Sequence, residues 1–304
     1  MKKALIVHKL KKVFEPAWFA RVRGAQDFVA VKEISFSLTR GETLGFLGAN
    51  GAGKTTTMQM LLGVLTPTSG SMQFNAQRIA FASGTMKLPS NLTVYECLRM
   101  YGLLYGMNWS HLTVRIEEML DAFRIRHLAH KNSTRLSAGQ TTTVILARTF
   151  LVEPDLILLD EPTATLDPEN AQTIRQFIAT YSKQHTVSML FTSHNMAEVT
   201  ELCDRIIVLK NGEIVADNTP ERLAATVCFV TLTLLVVQNL SRLTEYLTVS
   251  QIRFELKEHD FIEIALDEQS VAKVLNQCAQ LGVDYSSISV GKPTLEDYFI
   301  ALMH

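Results

Sequence analysis

The sequence predicts an α/β fold with a parallel sheet, followed by a small α+β domain, and three observations carry that prediction. Three apolar runs (residues 43–47, 156–159 and 188–191) each end at polar, reactive positions. Continuous apolar runs of this length mark central parallel strands, because both faces of such a sheet are covered. Between the first two runs, over about residues 90–135, the spacing turns helical, and beyond about residue 222 it turns to alternation followed by a helix. The division this gives is a main domain over 4–222, with a helical subdomain at about 90–135, and a C-terminal accessory domain over 223–304.

The bulk numbers narrow the class. A chain of 304 residues, 47% hydrophobic and 19% charged, is globular. A net charge of -1 argues against nonspecific nucleic-acid binding, which needs clustered positive charge. Cys97, Cys203, Cys228 and Cys278 are scattered with no C-x-x-C pair, as in a reduced cytosolic protein without a structural metal. After Met1-Lys2-Lys3 the apolar stretch 4–7 is too short for a signal peptide. The longest near-apolar stretch, residues 227–237, is about half of the ~20 residues a spanning helix needs. Its β-branched content predicts a buried strand, so a membrane role needs spanning helices from another chain.

The first apolar run leads into Gly48-Ala49-Asn50-Gly51-Ala52-Gly53-Lys54-Thr55, the G-x-x-x-x-G-K-[ST] phosphate loop. Glycines let backbone N–H groups approach phosphate oxygens that a Cβ would keep away. In this pattern Lys54 reaches the β- and γ-phosphates, the Thr55 hydroxyl is a Mg²⁺ ligand, and Thr56 continues the helix predicted from 55 to 65. Thr93 caps a helix carrying Glu96, and a second helix near 114–123 puts Ile116, Met119 and Leu120 on one face.

Ser137-Ala138-Gly139-Gln140 reads as a capping box, with Ser137 as N-cap and Gln140 at the third helical position of a helix running to Leu151. Capping does not account for Gly139, which costs a helix about 1 kcal/mol relative to Ala. A glycine in the first turn suits a bulky anion approaching the exposed N–H groups. The second apolar run ends in Asp160-Glu161-Pro162, where Asp160 is a Mg²⁺ partner and Glu161 polarises the attacking water. Alone, two acids at a strand end would be solvated; downstream of a phosphate loop they read as catalytic. His194 follows the third run and is placed facing the γ-phosphate, as a sensor or water-orienting group, and Asp167 lies six residues past Glu161.

In the last domain Ile252, Phe254 and Leu256 alternate, as do Ile262, Ile264 and Leu266, which reads as a hairpin with one buried face. Val271, Val274, Leu275, Cys278 and Leu281 then follow helical spacing up to Gly282.

These ordered motifs, over roughly residues 4–222, resemble the ATP-binding subunit of a bacterial ABC (ATP-binding cassette) transporter. The resemblance implies a P-loop NTPase of the ABC ATPase fold, a RecA-like core with a mixed sheet and a helical subdomain. It implies ATP and Mg²⁺ as cofactors and two subunits packed head to tail, with a homodimer favoured by the self-sufficient motif set. Each ATP would lie between one subunit's phosphate loop and the other's Ser137, Gly139 and Gln140, with Asp167 touching the opposite loop. An aromatic near the N-terminus would stack on adenine, with Phe14 the first candidate and Trp18 the second. ATP-driven closure would energise a membrane permease on a separate chain, with this chain peripheral on the cytoplasmic face of the membrane. The tail from Lys292 to Phe299 resembles subunits serving drug-, lipid- or polymer-exporting permeases. A soluble regulatory ABC ATPase without a permease and an importer ATPase are the alternatives.

Three departures stand out. The glutamine expected after the strand at 79–82, which in the family touches Mg²⁺ and links the site to the permease, is missing: its place is Ser83-Gly84-Thr85, and Gln77 is too early. Ala138 replaces a commoner glycine, and Thr141-Thr142-Thr143 stand where charged residues are usual, so the outer face of that helix would meet a different neighbour. The stretch 15–27 is longer than the usual loop before the first core strand.

Overall fold

The computed structural model describes residues 2–16, 24, 26–227 and 229–303. Two compact units divide the chain, Met1–Pro220 and Glu221–His304.

The strands of the first unit are β1 (Lys3–Phe14), β2 (Phe28–Thr39), β3 (Thr43–Leu47), β4 (Ser69–Phe74), β5 (Ile79–Ser83), β6 (Leu156–Asp160), β7 (Ser188–Thr192), β8 (Arg205–Lys210) and β9 (Glu213–Asn218). Its helices are α1 (Lys54–Leu61), α2 (Val94–Leu104), α3 (Trp109–Ala122), α4 (Ala138–Leu151), α5 (Pro168–His185) and α6 (Met196–Leu202). Strands β2-β1-β4 form an antiparallel sheet; β5-β6-β7-β3-β8-β9 form a second sheet, parallel except for the β8/β9 pair. The three apolar runs are the adjacent strands β6, β7 and β3, and every residue of β3 and β7 is buried. Phe46, Phe191, Leu44 and Leu158 are wholly enclosed, each contributing roughly 1.5–3 kcal/mol of hydrophobic stabilisation. Because the strands run parallel, the ends of β3, β6 and β7 lie along one edge, where such sheets bind ligands.

Helix α1 is shorter than the spacing predicts, ending at Leu61 rather than Leu65. Gly63 adopts φ +71° and its N–H donates to Met60 O, a left-handed cap that stops the helix after two turns. Helix α2 has the full capping box, with Thr93 accepting from the Glu96 N–H and Glu96 accepting from the Thr93 N–H. Helix α3 begins at Trp109, earlier than predicted, because Asn108 caps it by accepting from the His111 N–H. Ile116, Met119 and Leu120 are buried on its inner face.

Thr142 and Thr143 do not sit on the outer face of α4: both are buried. Both hydroxyls are satisfied, Thr143 within the helix by donating to Gly139 O at 3.0 Å and Thr142 across to the segment before α5 by sharing a hydrogen bond with Thr165 at 2.8 Å. Threonine bonding back one turn is what lets a polar run enter a helix interior.

The second unit contains β10 (Val230–Gln238), α7 (Leu240–Val249), β11 (Phe254–Leu256), β12 (Phe261–Leu266), α8 (Val271–Gln280), β13 (Asp284–Gly291) and α9 (Leu295–Met303). Strand order β11-β12-β10-β13, antiparallel throughout, makes a split βαβ arrangement up to β13. Leu232, Leu234, Ile262 and Ile264 meet Leu243, Leu247, Val274 and Cys278 in a separate core. Within the run at 227–237, residues 230–237 lie in β10, which is buried on one face, with Thr231, Thr233 and Leu235 only half-buried; Cys228 lies outside the described residues. The expected hairpin forms, with Phe254 opposite Ile264 and Leu256 opposite Ile262, but Leu256 is exposed because β11 is an edge strand of three residues. Gly282, at φ +66°, closes α8.

Candidate functional site

The phosphate loop turns out of β3 through positions where only glycine fits. A Cβ on Gly48, at φ +155°, would lie 2.4 Å from Leu209 O; one on Gly53, at φ +105°, would lie 2.7 Å from Ala30 O. Ala52 is buried, Asn50 and Gly51 are exposed, and nothing stands within 4 Å of where a Gly51 Cβ would project. Lys54 is buried and bends over its own loop, donating to Gly48 O at 2.6 Å and Ala49 O at 3.2 Å. Burial pulls its ammonium below the usual lysine range, and the charges of Glu161 and Asp160 act the other way. Thr55 is exposed at the first turn of α1 and Thr56 half-buried, while Thr57 is buried and donates back to Gly53 O.

The ends of β6 and β7 supply the acids and the histidine. Asp160 is in register with Ser83 on one side and Thr192 on the other. Its Oδ1 accepts from the Thr192 hydroxyl at 2.7 Å. Glu161 leaves the strand in the left-handed region, φ +51°, which turns its side chain off the strand direction. Oε2 of Glu161 accepts from the His194 N–H at 3.3 Å, and Oε1 lies 3.1 Å from His194 Nε2, buried and without an aligned hydrogen bond. Burial raises the Glu161 carboxyl above the ordinary carboxylate range, against the opposing charges of His194 and Lys54. Lys54, Asp160, Glu161 and His194 thus form one electrostatic group.

A second group lies around the start of α4. Ser137 accepts from the Gln140 N–H at 3.2 Å and donates its own N–H to Gln140 Oε1 at 3.2 Å, the predicted capping box. Ser137, Gly139, Gln140 and Asp167 share one hollow of about 220 Å³, bordered also by Arg124 and His127. A Cβ on Gly139 would meet Thr165 O at 3.3 Å, so close packing inside the chain accounts for part of the need for glycine there. Asp167 is the N-cap of α5, accepting from the Asn170 N–H at 3.0 Å, and the Asn170 hydrogen bonds hold its carboxyl below the usual range.

Phe14 belongs to neither group. It ends β1, stacked on Phe28 with ring centroids 6.5 Å apart and with the Lys12 ammonium 5.2 Å over its ring. Phe28, 59% exposed, is a second aromatic that sequence reading passed over, although it opens the strand after the long stretch at 15–27. Trp18 lies outside the described residues. Ser83-Gly84-Thr85, standing where a glutamine was expected, adjoins the acids: a Cβ on Gly84 would come within 3.3 Å of Glu161 O, and the Ser83 and Thr85 hydroxyls are 3.0 Å apart.

Sequence reading also missed Glu198, in the first turn of α6 and buried. It accepts from Thr163 at 2.7 Å, Ser193 at 2.9 Å and Arg175 at 3.1 Å, tying the segment after Glu161 to the segment before His194 and to α5. A glutamate four residues after His194 was the available signal.

The residues fit ATP and Mg²⁺. The cradle rejects any Cβ at Gly48 and Gly53, and a buried ammonium and an exposed helix N-terminus stand beside it, which suits a polyphosphate. The donors available for a cation, the Thr55 hydroxyl and the Asp160 carboxylate, are hard oxygens. Among the described residues there is no cluster of three or more His, Cys, Asp or Glu that could hold a metal by itself. That combination matches Mg²⁺, which is held by one or two protein oxygens together with phosphates and waters.

Comparison with known proteins agrees. Residues 31–164 match the family model described as ABC transporter. The chain is 34% identical over 206 residues to the ABC transporter ATP-binding protein NatA of Bacillus subtilis (strain 168), spanning 64% of this chain and 83% of that protein. It is 28% identical over 294 residues to the bacitracin transport ATP-binding protein BcrA of Bacillus licheniformis, spanning 90% of this chain and 92% of that protein. A solved ATP-binding subunit of an ABC transporter superposes with a TM-score of 0.65 at 25% identity, covering 73% of this chain and 92% of the other.

Proposed function

The chain belongs to the ABC transporter family as an ATP-binding, ATP-hydrolysing subunit, and from that premise we propose that it energises export through a permease carried on a separate chain. The observation that carries the reading is the convergence of Lys54, Asp160, Glu161 and His194 at the edge where β3, β6 and β7 end. In this reading Thr55 and Asp160 would hold Mg²⁺, whose charge would offset that of the transferred phosphoryl group. The phosphate loop from Gly48 to Thr56, through Asn50, Gly51, Ala52 and Gly53, binds the phosphates. Lys54 leaves its loop carbonyls for the β- and γ-oxygens, and Glu161 takes the proton of the attacking water with His194 holding its carboxylate. Phe14, paired with Phe28, carries the adenine.

Ser137, Gly139, Gln140 and Asp167 act on the nucleotide of a second copy, which makes the active form a head-to-tail dimer. Their grouping in one hollow, separate from the acids of the same chain, supports that arrangement. The permease docks on the helical region. Met100, Leu103, Leu104 and Trp109 stand exposed there, Leu104 at 74%, beside a cleft of about 410 Å³ lined also by Leu92, Glu96 and Arg99. Exposed apolar clusters of this kind mark protein contacts. Among the described residues no helix is long and apolar enough to cross a membrane, so the spanning helices belong to the partner and this chain sits on the cytoplasmic face. The export direction is supported by 33% identity over 204 residues to the Nod factor export ATP-binding protein I of Ralstonia nicotianae (strain ATCC BAA-1114 / GMI1000).

The test is purification of the tagged chain from detergent-solubilised membranes. A polytopic membrane protein in stoichiometric amount, with Mg²⁺-dependent ATPase activity lost in Glu161→Gln, is the expected result. Recovery of the active ATPase without any such partner overturns the transporter assignment in favour of a solitary regulatory ATPase.

A further inference from the structure

Thr192 is wholly buried at the end of β7, in a strand where every other side chain but Ser188 is apolar. A buried hydroxyl requires hydrogen-bond partners, and this one spends its capacity on the two acids. It donates to Asp160 Oδ1 at 2.7 Å and accepts from the Glu161 N–H at 3.1 Å. The same Glu161 N–H also donates to the Thr192 carbonyl at 3.1 Å. Asp160 and Thr192 are register partners on adjacent parallel strands, so their side chains leave the same face of the sheet.

We propose that Thr192 is a positioning residue for ATP hydrolysis, its single hydroxyl orienting Asp160 toward the cation and holding the backbone turn that aims Glu161. The proposal rests on the reading of Asp160 as cation ligand and Glu161 as base. A hydroxyl has one proton, and giving it to Oδ1 leaves Oδ2 as the oxygen turned outward. The carboxylate is thereby fixed about its last torsion, which is otherwise soft. Glu161 stands at φ +51°, a region disfavoured for any residue with a Cβ. Two acceptors from one residue, a hydroxyl and a carbonyl, hold its N–H there. That turn delivers the carboxylate to the His194 N–H and imidazole. Valine would fill the same space and keep the carbonyl while removing only the hydroxyl.

The full-length chain carrying Thr192→Val is compared with Thr192→Ser, measuring ATP hydrolysis and the Mg²⁺ dependence of affinity for a fluorescent ADP analogue. Loss of a hydrogen bond to a charged group predicts a kcat lower by about tenfold to a hundredfold. The Mg²⁺ concentration that half-saturates binding rises several-fold, KM for ATP stays within about twofold, and Thr192→Ser restores kcat to within about threefold. Unchanged kcat and Mg²⁺ dependence in Thr192→Val overturns the proposal, as does a parallel loss in kcat and KM that serine fails to rescue. Should the valine variant not fold, Thr192→Cys replaces it, a thiol being a weak donor, with the same two outcomes. Asp160→Asn and Glu161→Gln are run alongside. Full activity in those two overturns the underlying site assignment, whereas their inactivity beside an active Thr192→Val overturns only the role of Thr192.

Discussion

Both oxygens of Glu161 face one residue: the His194 N–H donates to Oε2 at 3.3 Å, and the imidazole Nε2 stands 3.1 Å from Oε1. Sequence reading expects His194 to face the γ-phosphate; the structure sets its backbone N–H and its ring against the Glu161 carboxylate.

Replacing His194 by alanine removes the ring but keeps the backbone donor. The expected result is a kcat lower by about a hundredfold or more with ATP affinity retained within about threefold. Steady-state hydrolysis and equilibrium nucleotide binding, measured on the same preparation, check it.

Burial raises the Glu161 carboxyl above the ordinary range, and this has two consequences of opposite use. With Glu161 as the base, the acid limb of kcat/KM should lie above the pH of about 4.3 at which an ordinary glutamate titrates. For stability, a raised carboxyl binds its proton more tightly in the folded chain than in the unfolded one. Its contribution is therefore present below the unfolded pKa and is lost as pH rises through the folded pKa. Glu161→Gln should abolish hydrolysis yet melt at a higher temperature than the parent at pH 7.5. That advantage should shrink as the pH falls toward 4, and thermal scans at both pH values test the sign.

Glu198→Ala should destabilise the first unit by about 1–3 kcal/mol, the cost of leaving buried hydroxyls without their acceptor, since Arg175 keeps Glu201 at 3.2 Å. Arg175, 20% exposed, loses a carboxylate, and the Thr163 and Ser193 hydroxyls lose their shared acceptor. Urea denaturation of Glu198→Ala and Glu198→Gln gives the number, the glutamine variant losing less because it keeps an acceptor oxygen.

Ser137→Ala removes the N-cap of α4, at a cost of about 1 kcal/mol. If Ser137 serves the nucleotide of a second copy, the variant should bind ATP with unchanged affinity as a single chain while hydrolysis falls by about tenfold or more. Affinity lost in proportion to activity speaks for action within one chain instead.

What the sequence made legible was local. Both capping boxes, Thr93 with Glu96 and Ser137 with Gln140, repeat a fixed offset, and β3, β6 and β7 announce themselves as apolar runs. What it hid depends on which strands become neighbours. Thr192 reads as the polar end of a strand until β7 is seen beside β6, with Asp160 in register. Thr142 and Thr143 look like surface until their hydroxyls are found bonded to Thr165 and Gly139. Glu198 looks solvated on α6 until α5 brings Arg175 across it. The early end of α1 has a local signal too, since Gly63 supplies the left-handed stop two residues before the apolar Leu65.

The seating of β3 between β7 and β8 governs when the chain can become functional during synthesis. Thr43 pairs with Met189 and Leu44 with Arg205, so the strand that launches the phosphate loop leaves the ribosome about 145 residues ahead of its first neighbour. At roughly 5–20 residues per second that interval is on the order of 7–30 s. For its duration a five-residue strand, buried along its whole length in the finished fold, has no neighbouring strand in its own sheet. Nascent chains halted before residue 189 should therefore be captured by chaperones and fail to retain ATP, whatever the state of the loop sequence itself.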